Sequence, residues 1–298
     1  MRKVKVITDS CADLNAEQLE KYNIDYVKMV TIEDGVESPA LLTWSAEEAH
    51  RLYETIRSGK RITTAQVSVE EFNRVFGKYL EEGYDIVYIA CSSKQSGSVN
   101  TGHVTAQKLL PQYPDAQISC IDSLNATIGE GMLAMEAAKM AEDGKSAEEI
   151  TAHIMSVRKT VQEFATVHTL EHLKKAGRVS ASSAFFGNLM GVKPILIADA
   201  NGAQAAYKKV KGRQTALREI VKLLKENITA PEEQTVYIAH ADCSKEEIDS
   251  LAEMVKSEIK CKDVSVGYIG PIVGASVGPD TIGVFAFGKP VIFAAEEK

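Results

Sequence analysis

Tyr84-Asp85-Ile86-Val87-Tyr88-Ile89-Ala90-Cys91-Ser92-Ser93-Lys94-Gln95-Ser96-Gly97-Ser98 passes from a mostly apolar run into a loop of hydroxyl-bearing and small residues. An apolar run of this length, closed by turn residues and followed by a helical pattern, reads as a buried strand, a loop and a helix. Two more such units lie in the first half. Residues 3–8 lead into Asp9-Ser10-Cys11-Ala12-Asp13, and residues 117–121 lead into Asp122-Ser123. Successive units of this kind predict an α/β domain on a parallel sheet. In open parallel sheets ligands bind outside the carboxyl ends of the strands, so these three loops are the first places to look.

Helix starts are marked by the Ser-x-x-Glu spacing, in which serine and glutamate side chains satisfy orphan backbone donors. It occurs at Ser45/Glu48, Ser68/Glu71, Ser146/Glu149 and Ser244/Glu247, with ends expected at Gly59, at Gly83, near Val161 and near Cys261. After Gln162 the helical pattern gives way to a strand through Phe164-Ala165-Thr166-Val167, which predicts domains 1–161 and 162–298. The second is expected to be mixed α+β. It has a helix at 170–176, an apolar segment at 183–192 and strands near 194–198, 235–240 and 264–268. A Gly/Pro-rich loop at 270–278 then precedes a strand pair at 282–287 and 291–294.

Two domains also fit the length, since 298 residues is near twice a prior of about 150 per domain. With 34 basic and 41 acidic side chains the formal charge is -7, so the overall field favours neither nucleic acid nor an anionic membrane. Cys11, Cys91, Cys120, Cys243 and Cys261 form no CxxC pair, and their odd number fits a reducing cytoplasm. Basic Met1 to Lys5 leads through Val6-Ile7 straight into Thr8-Asp9-Ser10, so no signal peptide is expected, and no run approaches the ~20 apolar residues of a membrane span.

Residues 92–98 sit where backbone N–H groups and a helix dipole favour an anion, either a carboxylate or a phosphate; the alternative is a plain serine-rich cap. Nucleotide binding has little support, because neither GxxxxGK[ST] nor GxGxxG occurs. Thr64, in Thr63-Thr64-Ala65-Gln66-Val67-Ser68, reads in isolation as a loop residue. Gly274-Ala275-Ser276-Val277-Gly278 matches GxSxG and raises a serine hydrolase. Pro271 and Pro279 bracket it and no histidine follows His240, both against that reading. His168 and His172 have a metal-compatible i, i+4 spacing but lack a third ligand, and structural roles are expected for them and for His240-Ala241-Asp242. Arg178 follows a C-capping glycine and reads as a surface residue, as does the basic run 208–213.

In their order these segments resemble the DegV family of bacterial fatty-acid-binding proteins. Residues 7–14, Ile-Thr-Asp-Ser-Cys-Ala-Asp-Leu, look like its opening ITDSSADL, and Thr64-Ala65-Gln66-Val67-Ser68 is similar to TSQPS. The 92–98 loop resembles SSxLSGT, residues 173–180 resemble LKKGGRIS, Lys193-Pro194-Ile195-Leu196 matches KPIL, and 270–279 is similar to GPxIGTHTGP. The resemblance implies a two-domain α/β protein, not an enzyme, with a fatty acid such as palmitate, stearate or oleate in an apolar tunnel and its carboxylate in the interdomain cleft. Thr64, Ser96, Gly97 and Ser276 would bind the carboxylate and Arg178 would line the cleft or meet a partner. That partner would be a separate ATP-dependent fatty-acid kinase; no cofactor or metal is implied. Ser276 stands where the family pattern has histidine, and Ala65 replaces a serine. Both changes remove a donor, which leaves another anionic lipid open as the ligand.

Overall fold

The run at 84–90 folds as a strand over Asp85–Ala90 with every residue buried, the pattern of a parallel strand covered on both faces. The computed structural model describes residues 2–180 and 191–295, so residues 183–190 of the expected apolar segment lie outside the described residues. In chain order come β1 (Val4–Asp9), α1 (Ala16–Lys21), β2 (Asp25–Val27), and an antiparallel pair, β3 (Val30–Glu33) and β4 (Val36–Pro39). Next are α2 (Ala46–Arg57), β5 (Ile62–Ala65), α3 (Val69–Glu81), β6 (Asp85–Ala90), α4 (Ser98–Leu109) and β7 (Ile118–Asp122). Then follow α5 (Thr127–Glu142), α6 (Ala147–Val157), β8 (Val161–Thr166), α7 (Glu171–Ala176), β9 (Val179–Ser180), β10 (Val192–Ala198) and β11 (Gln204–Lys211). The chain closes with α8 (Arg213–Asn227), β12 (Thr235–His240), α9 (Lys245–Ile259), β13 (Asp263–Tyr268), α10 (Pro271–Val277) and β14 (Ile282–Phe287). Its contacts divide it into two units, Met1–Thr43 with Thr64–Lys159 and Trp44–Thr63 with Thr160–Lys298.

The first unit is built on a four-stranded sheet in the order β2-β1-β6-β7, parallel at every pairing. Phe72, Val75, Phe76, Tyr79 and Leu80 recur at i, i+3, i+4, i+7 and i+8 and form the buried stripe of α3. Phe72 meets Tyr88 of β6 edge-on, with ring centroids 5.3 Å apart. α5 is buried along most of its length and packs on β1 and β6. Its close approach depends on Gly131, where a Cβ would lie 2.5 Å from the Ala12 carbonyl oxygen and 2.8 Å from Leu14. Gly131→Ala is therefore expected to destabilise the unit by about 1–3 kcal/mol in urea unfolding, because a backbone atom must move. An unchanged midpoint would refute that close fit.

The second unit holds a seven-stranded mixed sheet in the order β13-β12-β14-β8-β10-β11-β9. β12 with β13 and β11 with β9 are parallel, and the other pairings are antiparallel. Its core joins Leu217, Ile220, Val221 and Leu224 of α8 and Leu251 and Val255 of α9 to Phe164, Ile195, Ile238 and Val284 of the sheet.

The four capping signals all begin helices, but only two are complete. Ser45 and Ser146 make reciprocal boxes with Glu48 and Glu149. Ser68 and Ser244 accept from the N3 amides, while Arg74 engages the Glu71 carboxylate and Arg213 that of Glu247. The expected loop at 270–278 is instead the helix α10: Pro271 occupies its first turn, where a missing N–H costs nothing, and Gly278 at φ 78° ends it. No strand forms at 291–294, and Ile292 is 89% exposed. The basic run 208–213 divides: its lysines are exposed on β11, whereas half-buried Arg213 pairs with Glu247 and donates to the Asp280 carbonyl at 2.7 Å.

Candidate functional site

Loops from the carboxyl ends of β1, β6 and β7 are tied into one surface of the first unit. The link is Asp9, whose Oδ2 accepts from the Tyr88 hydroxyl at 2.8 Å and the Cys91 amide at 3.0 Å, while Oδ1 accepts from the Cys11 amide at 2.9 Å. Burial raises its pKa, and these hydrogen bonds pull the other way. Ser92 N donates to Asn125 O at 2.8 Å and Ser93 N to Asp122 Oδ1 at 3.2 Å, which joins the β6 and β7 loops.

On this support the hydroxyl loop has a defined proton pattern. Gln95 N and Ser96 N both donate to Ser92 O at 2.9 Å, forming a tight turn. Ser98 N donates to Ser96 Oγ at 3.2 Å, Val67 N donates to Ser98 Oγ at 3.2 Å, and the two hydroxyl oxygens lie 2.9 Å apart. One hydroxyl proton occupies the contact between the two serines. Ser98 is fully buried and Ser96 half-buried, so the arrangement that wastes no donor has Ser98 donating to Ser96 and the Ser96 proton turned outward. Gly97, the N-cap of α4, brings no side-chain cap to the first-turn donors. Its φ of -81° is open to any residue, so the missing Cβ is what makes room: the side-chain amide oxygen of Gln66 lies 2.1 Å from where a Cβ would stand. Gln66 Nε2 meanwhile donates to Thr101 Oγ1 at 2.8 Å.

Thr64 is half-buried in β5, a strand where a loop was expected. The bonds from Gln66 and Val67 stitch the segment just after it to the Ser96 loop. Sequence reasoning missed Gln66, Ser98 and Asp9 as the pieces that hold this surface, since nothing local marks a partner 31 to 82 residues away.

Ser276 and Arg178 belong to the second unit. Ser276 is half-buried inside α10, without the left-handed φ of a strained turn, so the strand-turn-helix elbow that GxSxG requires is not formed. Arg178 follows Gly177, which caps α7 at φ 70°, and its guanidinium donates to the Ala176 carbonyl.

The paired histidines do not share a helix. His168 lies between β8 and α7, 3.4 Å from Lys193 Nζ, while His172 on α7 lies against Gly278. Burial first, then a neighbouring lysine, lowers the pKa of both. His240 is buried, packs against Tyr268 with the rings tilted by 49° and centroids 4.4 Å apart, and is pushed down to about 4 by burial. Among the described residues, metal-capable side chains converge at Cys11, Cys91 and Glu130 and at His50, Glu54 and Asp242. In the exposed second group, Arg57 sits 2.9 Å from Glu54 and 2.6 Å from Asp242 as the counter-cation.

Fold and site define a two-unit α/β protein whose hydroxyl loop lies at a helix start with a glycine N-cap, a setting that suits an oxyanion. The chain belongs to the DegV family, whose model, described as "Uncharacterised protein, DegV family", matches residues 3–289. A DegV domain-containing protein of Clostridium perfringens is 35% identical over 288 residues, 97% of this chain and 98% of that one. Among solved structures, a DegV lipid binding protein from Thermotoga maritima superposes with a TM-score of 0.83 at 28% identity, covering 97% of this chain and 99% of that one. A stearic acid-binding protein from Eubacterium ventriosum gives 0.84 at 26% identity, covering 96% and 98%. Among the described residues no helix is long and apolar enough to cross a membrane.

Proposed function

We propose that the chain binds one long-chain fatty acid and presents its carboxylate to a separate ATP-dependent kinase, catalysing nothing itself. The observation that carries this is the Ser96–Ser98 hydroxyl contact of 2.9 Å at the start of α4, where Gly97 supplies no side-chain cap. In the first unit the Ser96 and Thr64 hydroxyls and the Gly97 backbone are the proposed donors to the acid; in the second, Ser276 and Arg178 are the proposed ligand-binding residues. The lipid and stearic acid named for the Thermotoga and Eubacterium relatives support the ligand class. Each buried methylene contributes about 0.8 kcal/mol, so roughly fifteen offer about 12 kcal/mol before association costs. A desolvated carboxylate would cancel much of that unless donors surround it.

Native mass spectrometry of protein purified from bacteria is expected to show a bound species of fatty-acid mass, in the range of palmitate, stearate or oleate. No such species, together with no thermal protection by palmitate or oleate, would sink the reading. Ser96→Ala and Thr64→Val are each expected to weaken retention by about 1–3 kcal/mol, the scale of an unsatisfied buried polar group. Unchanged affinity in both would remove them as head-group donors. The kinase step is checked by adding a bacterial fatty-acid kinase and ATP to the loaded protein and looking for acyl phosphate.

A further inference from the structure

Behind the hydroxyl loop the first unit buries reactive side chains for which the binding of an acid has no use. Cys11 follows β1, Cys91 follows β6, and Glu130 lies in the first turn of α5; they are 2%, 2% and 0% exposed. The two sulfurs and a carboxylate oxygen all lie within 4.8 Å of one another. Zinc bonds of ~2.3 Å to sulfur and ~2.0 Å to oxygen place neighbouring tetrahedral ligands roughly 3.5–3.8 Å apart, so these atoms need to close by about an ångström.

A second, independent observation concerns Glu130 itself. Its Oε2 is buried with no hydrogen-bond partner, an arrangement that costs free energy unless something else meets it. Its other oxygen lies 2.7 Å from Thr8 Oγ1, which also stands 3.0 Å from the Ile89 carbonyl. Thr8 Oγ1 is the donor within reach of both acceptors, so its one proton is shared between the Glu130 carboxylate and the Ile89 carbonyl.

We propose that Cys11, Cys91 and Glu130 bind a single zinc ion. Zn2+ displaces the two thiol protons, which leave to solvent, and the Thr8 hydroxyl donates to the Glu130 carboxylate as the positioning residue for that ligand. The donor set favours zinc over the cuprous ion. Met29 Sδ lies 3.6 Å from Cys11 Sγ, so a cuprous ion would take sulfur ligands alone, whereas a buried carboxylate is a donor that zinc accepts readily.

The test uses the untagged full chain, stripped with chelator under reductant and equilibrated with Zn2+ alone or Co2+ alone. One equivalent of zinc per chain should survive gel filtration, and Co2+ should give a thiolate-to-metal charge-transfer band that zinc abolishes. A Cys120→Ser/Cys243→Ser/Cys261→Ser variant should behave as wild type, since the remaining thiols are the proposed ligands. Cys91→Ser should lose the band, and Thr8→Val should weaken zinc about ten- to hundredfold, the scale of an outer partner of a ligand. Circular dichroism checks the fold of each variant, and the wild type and the triple variant decide the matter even if Cys91→Ser does not fold. Absence of the band in wild type, its loss in the triple variant, or zinc binding indifferent to Glu130→Gln would overturn the proposal. So would retention of cuprous ion but not of zinc.

Discussion

Replacing Asp9 by alanine is expected to cost the first unit about 3–5 kcal/mol, the largest effect of any single change considered for this chain. The carboxylate accepts from Tyr88, Cys91 and Cys11, and removing it strands three buried donors at about 1–3 kcal/mol each, offset in part because a buried acid no longer has to be desolvated. Asparagine should recover only part of the loss, because it keeps one acceptor oxygen and turns an NH2 group toward donors. The measurement is urea unfolding followed at the Tyr88 amide by hydrogen exchange, and a change below about 1 kcal/mol would show that Asp9 is not the link. The 91–98 loop hangs from this link, so retention of palmitate should fall as well.

The second large effect is one of pH. Glu163 of β8 is buried, with the Gln204 amide donating to it at 2.8 Å, and burial pushes its pKa up to about 7. An unfolded glutamate titrates near 4.5. Between those values the folded state holds a proton that the unfolded state has released, so the stability of the second unit falls as pH rises from 4.5 to about 7. A shift of this size corresponds to about 3 kcal/mol. Glu163→Gln removes the titration and keeps an acceptor for Gln204. Its stability advantage over wild type should be near zero at pH 4.5 and about 3 kcal/mol at pH 8; a difference that does not change with pH would refute the assignment. Buried His240, pushed down to about 4 from 6.5, acts in the opposite sense, its neutral form contributing stability that is lost as pH falls through that window. Wild-type stability thus hides two opposed slopes, which is why the difference between variant and wild type is the quantity to measure.

Much of the fold was legible because it is written in local pattern. The continuous apolar runs at β1, β6 and β7, the serine caps at 45, 68, 146 and 244, and the order of the loop motifs are all properties of neighbouring residues. The misreadings have physical reasons too. The glycines and prolines of 270–278 read locally as a loop, but proline in the first turn starts α10, and the apolar run at 291–294 forms no strand. The capping box at Asn15/Gln18 escapes the Ser-x-x-Glu spacing because asparagine and glutamine stand in for serine and glutamate.

By itself, the amino-acid sequence determined the parallel strand-loop-helix units, the family, and the hydroxyls at Thr64 and Ser96 that are proposed to meet an acid. Only the tertiary structure decided that residues 44–63 belong with the second unit and that Asp9 ties β1 to the loop after β6. It also decided that Cys11, Cys91 and Glu130, far apart along the chain, share one buried space. The reason is range: periodicity and capping act over three or four residues, whereas a hydrogen bond across 82 residues exists only after the sheet has set its strand order.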